Sequence, residues 1–418
     1  MRQARLVDLK KMAATLFLLG LRASGLFSKF MLTIYIAKQM SLSDLGLYGL
    51  IAVGATIVPG LFGLGLNGPA SRSIVSVDTH EAVRIASTRI SVTLLLHLII
   101  SPLAVIGLIL YLPHSQAGLV LLVAITLFME NIASDLNSVL LARFRSNMAS
   151  ILLFIRSGLW PLVYIGFAWY YPPLRTVETI IEFWLASLLL LFAIVGGMAL
   201  KNSYWRWVSV DVPLARDMIR KGHNFYAADI GNSGILYLDR FLVSTFLGLE
   251  ATGVYTFFWS ITNAVNNLIF TAVTSPRAPK VISAVKLGQK NLIQLACKSM
   301  IKEIFLWCVG LSAILLGVMP YVIRFLNNDK FSAHKEVFFV MLLATGLRTV
   351  SEGADAVLYA HHQDRKIALI SITTMGVSGA CISMLAPWLG LFGVAVAMLL
   401  AAIFILAWRG RTARALVM

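Results

Sequence analysis

The sequence predicts an all-α polytopic membrane protein, with about twelve transmembrane helices in two six-helix lobes around a central cavity. Three observations predict this fold class: an apolar composition, about twelve apolar runs of membrane-spanning length, and a short motif that recurs half a chain length later. Of the 418 residues, 59% are apolar and only 13% are charged, and the mean hydropathy is +0.83. Soluble domains carry about 25% charged residues. The composition therefore excludes a soluble enzyme, a disordered chain and a fibrous protein, because none of them could cover this much apolar surface.

The apolar runs set the number of helices. A helix that crosses about 30 Å of hydrocarbon needs about 20 apolar residues. The first run is not a cleavable signal peptide, because Arg22 interrupts its apolar core and no small-residue cleavage site follows. The predicted spans are 12–36, 46–66, 90–112, 117–141, 150–170, 179–200, 224–247, 253–274, 303–323, 337–360, 367–386 and 390–408.

The basic residues predict the orientation. If the N-terminus is cytoplasmic, 25 of the 35 Lys and Arg residues fall in the inside segments and six within or at the edge of spans. Only Lys38, Arg175, Lys330 and Lys335 fall outside. Cytoplasmic loops of membrane proteins collect Lys and Arg. The net charge of +16 is thus explained by topology, with both termini cytoplasmic, and it does not indicate nucleic acid.

The longest connections are basic and lie inside. They cover 201–221 and 275–302. Segment 280–302 mixes Lys with apolar residues, which suits a helix lying in the membrane interface, although a plain solvated connector is the alternative. The outside connections are short, which counts against a polymerase or glycosyltransferase with large external loops.

An internal repeat divides the chain. Gly46 and Tyr48 recur as Gly253 and Tyr255 at a common offset of 207, close to half of 418. In each copy an acidic residue precedes the Gly-x-Tyr that enters the next helix. Six helices separate the copies, so the halves have the same orientation, as in rocker-switch transporters. We predict an N-lobe at 1–208 and a C-lobe at 209–418, with the boundary in the basic loop 201–221.

The repeat motif also carries a family resemblance. Ser43-Asp44-Leu45-Gly46-Leu47-Tyr48, its partner Gly248-Leu249-Glu250-Ala251-Thr252-Gly253-Val254-Tyr255 with the preceding Leu238-Asp239-Arg240, and Pro387-Trp388-Leu389-Gly390-Leu391-Phe392-Gly393-Val394-Ala395 resemble the polysaccharide-flippase branch of the MOP superfamily. That branch contains the Wzx-type O-antigen flippases and is related to lipid II flippases and MATE antiporters. The lipid II flippases have fourteen helices, so twelve favour the oligosaccharide type.

The resemblance implies a function and a location. It implies movement of a polyprenyl-pyrophosphate-linked oligosaccharide from the cytoplasmic to the outer leaflet of a bacterial inner membrane by alternating access. The cargo would be a repeat unit of O-antigen, lipopolysaccharide or exopolysaccharide. Membrane lipid is the surrounding partner, and a polysaccharide polymerase or chain-length protein would act alongside.

Two cations in the first span are candidate substrate ligands. Arg22 and Lys29 are seven residues apart and share one helical face. Ionisable groups within a membrane normally face a cavity or a partner. A pyrophosphate site needs fixed positive charge that a guanidinium can supply bidentately. The alternative is that Lys29 snorkels or that both cations pair with acids on another helix.

The C-lobe supplies further candidates. We assign Arg240 and Arg348 as additional cavity cations. The eighth span carries a polar stripe that could meet sugar hydroxyls or could bond to neighbouring helices, namely Thr256, Trp259, Ser260, Asn263 and Asn267. Trp259, Asn263 and Asn267 are its candidate cavity residues.

Three acids are candidates for coupling to a proton or sodium ion: Asp135, Asp239 and Asp355. Arg348 and Glu352 are four residues apart and suit an intrahelical ion pair, whereas Asp355 has no obvious local partner. Each acid has a purely structural role as its alternative.

No motif points to catalysis, a cofactor or a metal. The three cysteines (Cys297, Cys308, Cys381) lack metal-site spacing, and no Walker A, zincin or GxSxG motif occurs.

The competing functions are a MATE-like cation-coupled drug antiporter, disfavoured because the first span contributes two cations, and a membrane polymerase or glycosyltransferase.

Overall fold

The structure is a computed structural model, and it describes residues 20–21, 24–66, 70, 74, 77–111, 117–142, 145–201 and 211–417. Every regular element within these ranges is helical, and none of the described residues forms a strand. The all-α prediction is therefore confirmed.

The helices are long, as membrane-spanning segments require. The helices are α1 (24–39), α2 (Leu42–Phe62), α3 (Thr79–Tyr111), α4 (Ala117–Ala142), α5 (Ser146–Phe154), α6 (Trp160–Tyr170), α7 (Val177–Lys201), α8 (Val212–Ile269), α9 (Ser275–Leu287), α10 (Lys290–Leu326), α11 (Asp329–Ala333), α12 (Lys335–Ala360) and α13 (Asp364–Val417). A π-helical turn at Ile155–Leu159 joins α5 to α6, a second at Phe270–Thr274 joins α8 to α9, and a 3-10 turn at Pro172–Leu174 follows α6.

Two of these helices are folded at a glycine. Gly248 in α8 has φ 82° and ψ 176°, and Gly390 in α13 has φ 59° and ψ −142°. Both conformations lie in regions that a side chain disfavours and that glycine adopts freely. The breaks separate residues 224–247 from 253–274 and residues 367–386 from 390–408, where the sequence predicts separate spans.

The number of crossings agrees with the sequence. Nine described helical segments are long and apolar enough to cross a membrane. Two of them, 225–287 and α13, each contain two spans joined at a kink. With these counted twice and with α1 as the described part of the first span, the total is the predicted twelve.

The chain forms two compact units. Unit 1 contains residues 1–35 and 51–226, and unit 2 contains residues 36–50 and 227–418. The first copy of the repeat motif therefore belongs to the same unit as the second copy. The expected division at 208/209 stays a prediction, because residues 202–210 lie outside the described ranges.

Unit 1 contains a buried pair of stacked aromatic rings and a helix start capped by an aspartate. Trp160 and Trp184 are both 2% exposed and stack with ring centroids 5.3 Å apart. Asp211 accepts a hydrogen bond from the Leu214 backbone at 2.8 Å and another from Nε of Arg84 at 3.0 Å. These bonds fasten the start of α8 to α3.

Unit 2 contains an aromatic core and a long helical hairpin. Phe257, Phe258 and Phe331 are fully buried and in mutual ring contact. The segment 280–302 is not a separate interfacial helix: α9 continues from the preceding span, turns at Gly288, and α10 then runs through the next span. At 37 residues, α10 is about 55 Å long, which exceeds the hydrocarbon thickness and places its first turns outside the membrane core.

Candidate functional site

A buried charged cluster lies in unit 2 where the two halves of α8 fold together. Tyr255 donates a hydrogen bond to Oδ2 of Asp239 at 2.5 Å. The neighbouring Arg240 guanidinium lies 3.5 Å from the centroid of the Trp259 ring, a cation–π contact. Asp239 is 2% and Arg240 3% exposed. The kink at Gly248 thus joins an acid and a cation from the seventh span to two aromatic residues of the eighth.

Arg348 of α12 completes this cluster. Its Nη2 atom donates to Oδ1 of Asn263 at 3.2 Å. Arg348 therefore reaches across to α8, and the described ion pairs do not include the expected intrahelical pair with Glu352. Glu352 is still close enough to Arg348 for electrostatic interaction, and its Oε2 atom has no hydrogen-bond partner among the described residues.

The two guanidinium groups retain buried donors. Nε and Nη2 of Arg240 and Nε of Arg348 have no acceptor among the described residues. A buried donor without an acceptor costs free energy, and more so when it is charged. An anion of suitable shape would satisfy these N–H groups, and guanidinium donors favour phosphate oxygens.

One member of the polar stripe of α8 is buried and four are half-buried. Thr256 is buried, whereas Trp259, Ser260, Asn263 and Asn267 are half-buried. The half-buried members present an indole ring, a hydroxyl and two amides, and of these Trp259 and Asn263 contact the arginines. Such groups stack on and hydrogen-bond to sugars.

A second cluster in unit 2 pairs Asp355 with a cation from near the C-terminus. Asp355 Oδ1 lies 3.2 Å from Nε of Arg409, in ion-pair distance although the N–H is not aligned as a hydrogen bond. Arg409 is 4% exposed and also donates to Oδ1 of Asn232 at 3.2 Å. Arg409 directly follows the last predicted span, 390–408, and is a buried residue of the bundle.

Unit 1 has its own buried charges, centred on α4. Glu130 accepts from Nε of Arg156 at 2.8 Å and from the Trp184 indole at 3.3 Å. Arg156 lies on the π-helical turn between α5 and α6, and such turns occur frequently at functional sites. Lys29 lies over the same Trp184 ring, with Nζ 5.8 Å from its centroid.

A turn further along α4, Asp135 forms a buried ion pair. Its Oδ1 lies 2.5 Å from Nη2 of Arg89, and its Oδ2 accepts from Thr93 at 3.0 Å. The next residue on that face of α3, His97, contacts the amide of Asn131 at 2.7 Å. Arg89 is 1% exposed, so the pair is within the helix bundle.

The predicted site residues fall into separate groups. Arg22 lies outside the described residues, Lys29 is in the unit 1 cluster with Glu130, and Asp135 is paired with Arg89. Unit 2 brings together Asp239, Arg240, Trp259, Asn263 and Arg348, while Asn267 lies one turn farther along α8 and Asp355 lies with Arg409. Five residues of these clusters were not predicted as site residues: Arg89, His97, Arg156, Tyr255 and Arg409. The four-residue spacing of Arg89, Thr93 and His97 indicates one polar helical face. Among the described residues, no group of three or more His, Cys, Asp or Glu side chains could hold a metal.

Two helical units with buried charges inside apolar spans define a polytopic membrane protein, and solved structures share this fold. An inward-facing multidrug resistance MATE family transporter of the MOP superfamily has a TM-score of 0.77 at 17% identity, over 94% of this chain and 95% of that one. Lipid II flippase MurJ in an inward closed conformation has a TM-score of 0.73 at 14% identity, over 96% and 87%. At these identities the likeness establishes the fold alone.

The family follows from the sequence. Residues 14–280, about two thirds of the chain, match the family described as "Polysaccharide biosynthesis protein". The chain belongs to this family, which confirms the resemblance to the polysaccharide-flippase branch of the MOP superfamily. No curated protein matches the chain.

Proposed function

We propose that this MOP-type flippase moves a polyprenyl-pyrophosphate-linked oligosaccharide, a repeat unit of a surface polysaccharide, from the cytoplasmic to the outer leaflet of a bacterial inner membrane. It does so by alternating access. The observation that carries the proposal is the pair of buried arginines in unit 2, Arg240 and Arg348, which retain three guanidinium donors without an acceptor in the described part of the chain.

The chemistry of the surrounding residues supports this substrate class. The free donors match phosphate oxygens, and the half-buried Trp259 and Asn263 beside them match the first sugar. A pyrophosphate joins those two parts in the proposed cargo. The same site thus provides charge for the linkage, and aromatic and amide groups for the saccharide.

The partners of three membrane acids favour an anionic rather than a cationic cargo. Asp239 is bonded to Tyr255, Asp135 is paired with Arg89 and Glu130 is paired with Arg156. A drug cation would require a carboxylate that is free to bind it. We therefore prefer the flippase to the MATE-like antiporter, with the ion gradient acting through one of the candidate acids Asp135, Asp239 or Asp355.

Substitution of the arginines tests the proposal. In proteoliposomes, flipping of a fluorescent polyprenyl-pyrophosphate oligosaccharide is measured by its accessibility to an added lectin. Arg240→Gln and Arg348→Gln should each lower the rate about tenfold to a hundredfold, because a charged hydrogen bond contributes about 1.5–3 kcal/mol. Arg240→Lys should retain part of the activity, since it keeps the charge.

Arg365→Gln is the matched control, because Arg365 is an exposed arginine of the same unit. It should flip the lipid at the wild-type rate. Wild-type flipping by folded Arg240→Gln and Arg348→Gln variants would exclude this pair as the pyrophosphate site. Efflux of cationic dyes without lipid flipping would favour the antiporter instead.

A further inference from the structure

A groove in unit 2 lies apart from the buried arginine cluster. It has a volume of about 930 Å³ and is bounded by α10, α12 and α13. Its walls are mainly apolar and include Ile301, Phe305, Val350 and Leu406. Phe305 is 56% exposed, so the groove is accessible from the surroundings of unit 2.

One end of the groove is strongly basic. Lys298 and Lys302 of α10 and Arg411 and Arg414 of α13 line it, and all four side chains are exposed. Lys298 and Lys302 are four residues apart, and Arg411 and Arg414 are three apart, so each pair lies on one helical face. None of the four is in an ion pair with a described carboxylate. Four uncompensated cations repel one another unless an anion joins them.

Along α10 and α13 the basic residues lie next to apolar runs, in the same order as the headgroup and the acyl chains of a lipid. Lys298 and Lys302 come just before the apolar run at 303–323, and Arg411 and Arg414 come just after the run at 390–408. Phe305 is seven residues, or about 10 Å, beyond Lys298 along α10. The cations thus stand at the membrane boundary and the apolar walls extend into the hydrocarbon, as a headgroup and its acyl chains do.

We propose that this groove binds an anionic phospholipid of the leaflet on the basic side of the membrane, with its phosphate between the lysine pair and the arginine pair. Basic pockets between transmembrane helices on the cytoplasmic side bind phosphate-bearing headgroups, and anionic phospholipids are the abundant anions at that surface. The inference is independent of the proposed transport substrate. The bound lipid ties α10 to α13 at their membrane boundary.

The full-length protein, purified in a neutral detergent, tests the proposal. Retention of dioleoyl-phosphatidylglycerol is measured by native mass spectrometry against an equal concentration of dioleoyl-phosphatidylcholine. The wild type should retain the anionic lipid in preference. The double variants Lys298→Gln/Lys302→Gln and Arg411→Gln/Arg414→Gln should each weaken its binding about thirtyfold, since a basic residue at a membrane surface contributes about a factor of five.

Two controls keep the test independent of folding and total charge. Arg365→Gln/Lys366→Gln removes two exposed cations of the same unit outside the groove and should bind within about twofold of the wild type. Ala407→Trp fills the groove from an exposed position and should abolish retention, whereas Leu400→Trp, exposed on the same helix outside the groove, should not.

Three results would overturn the proposal. They are equal retention of the neutral and anionic lipids by the wild type, unchanged binding by folded variants of both cation pairs, and stronger binding of undecaprenyl phosphate than of phosphatidylglycerol in direct competition. The last result would assign the groove to the polyprenyl lipid instead. Flipping of the oligosaccharide is measured separately, so its failure leaves this inference intact.

Discussion

Gly46 and Gly253 each lie directly against the backbone of the other's helical segment. A Cβ atom on Gly46 would stand 2.1 Å from the carbonyl oxygen of Leu249, and one on Gly253 would stand 2.0 Å from that of Leu42. Leu42 precedes Gly46 by the same four residues that separate Leu249 from Gly253. The contact is therefore reciprocal, as across a two-fold axis. The two copies of the repeat motif pack on one another within unit 2, and glycine is required where their backbones touch.

The first prediction concerns these glycines. Gly46→Ala and Gly253→Ala should each destabilise the protein by about 1–3 kcal/mol or more, because the added methyl group meets a backbone carbonyl that cannot rotate away. Thermal unfolding in detergent, followed by tryptophan fluorescence, measures the effect. Gly310→Ala is the control, since a Cβ there meets nothing within 4 Å. If Gly46→Ala and Gly253→Ala melt at the same temperature as Gly310→Ala, the two segments move apart without a measurable loss of stability, which would contradict the prediction.

The second prediction concerns the start of α8. The Leu214 backbone N–H and the Arg84 guanidinium hold the pKa of Asp211 below its ordinary value. Asp211→Asn keeps a side-chain acceptor but loses the charge, and Asp211→Ala loses both, so the melting temperature should fall in that order. Because the pKa is lowered on folding, the stabilisation is present above the unfolded pKa of about 3.9 and is lost as the pH falls through the folded value.

The matched control is Glu182→Gln, which removes the charge of an exposed acid of unit 1. Its melting temperature should equal that of the wild type between about pH 5 and 8. An Asp211→Ala variant as stable as this control at neutral pH would contradict a role for the cap. A stability difference that grew below pH 4 would contradict the lowered pKa.

Much of the fold could be predicted from the sequence because the bilayer restricts the solutions. Apolar run length located twelve spans, and the breaks near Gly248 and Gly390 were visible as gaps between runs. Hydropathy could not distinguish the helical hairpin of α9 and α10 from an interfacial helix. Lys280 and Lys286 suit either structure, and the choice depends on the turn at Gly288.

Several residues of the candidate site could be predicted from the sequence, but the contacts between them could not. Arg240, Trp259 and Arg348 are conspicuous as polar residues within apolar runs. Their meeting depends on the fold of α8 at Gly248 and on which face of α12 packs against it. The contact of Arg409 with Asp355 could not be predicted, because a cation at the end of the last run has the same sequence signature whether it snorkels or pairs with a buried acid.

The third prediction concerns orientation. The division of basic residues between alternate segments predicts that both termini are in the cytoplasm. Alkaline phosphatase fused after Lys221 or at the C-terminus should be inactive, and green fluorescent protein at the same positions should fluoresce. A fusion after Arg175 serves as the control with the opposite result. An active phosphatase after Lys221 would contradict the orientation and the parallel relation of the halves.

The fourth prediction concerns the buried pair of Arg89 and Asp135. Asp135→Asn leaves Arg89 charged and unpaired in the bundle, which should cost about 3–5 kcal/mol of stability. The double variant Arg89→Leu/Asp135→Leu should recover most of it. If Asp135 also carries the coupling ion, this stable double variant should still lose flipping driven by a pH gradient. Glu250→Gln breaks the exposed pair with Lys330 and should change stability by less than about 1 kcal/mol.

The fifth prediction concerns the cations of the first span. Lys29 lies close enough to Glu130 and Arg156 for electrostatic interaction, so an added anion would compete with Glu130 for it. If Arg22 and Lys29 bind the pyrophosphate, charge should matter more than size. Arg22→Lys should retain part of the export of surface polysaccharide in a flippase-deficient cell, whereas Arg22→Gln should lose most of it at equal membrane abundance. The expected loss is tenfold to a hundredfold, from about 1.5–3 kcal/mol for one charged contact.

Removing the whole charge cluster separates the two roles of Lys29. If Lys29 serves only to balance Glu130, the Lys29→Gln/Glu130→Gln/Arg156→Gln variant should export as well as the wild type, because Lys29, Glu130 and its partner Arg156 lose their charges together. If Lys29 binds the substrate, the triple variant should remain defective although it folds and inserts. Full export by Arg22→Gln/Lys29→Gln at equal abundance would remove both cations from the site. The arginines of unit 2 would then be the only ones of the four proposed cavity cations still assigned to the pyrophosphate.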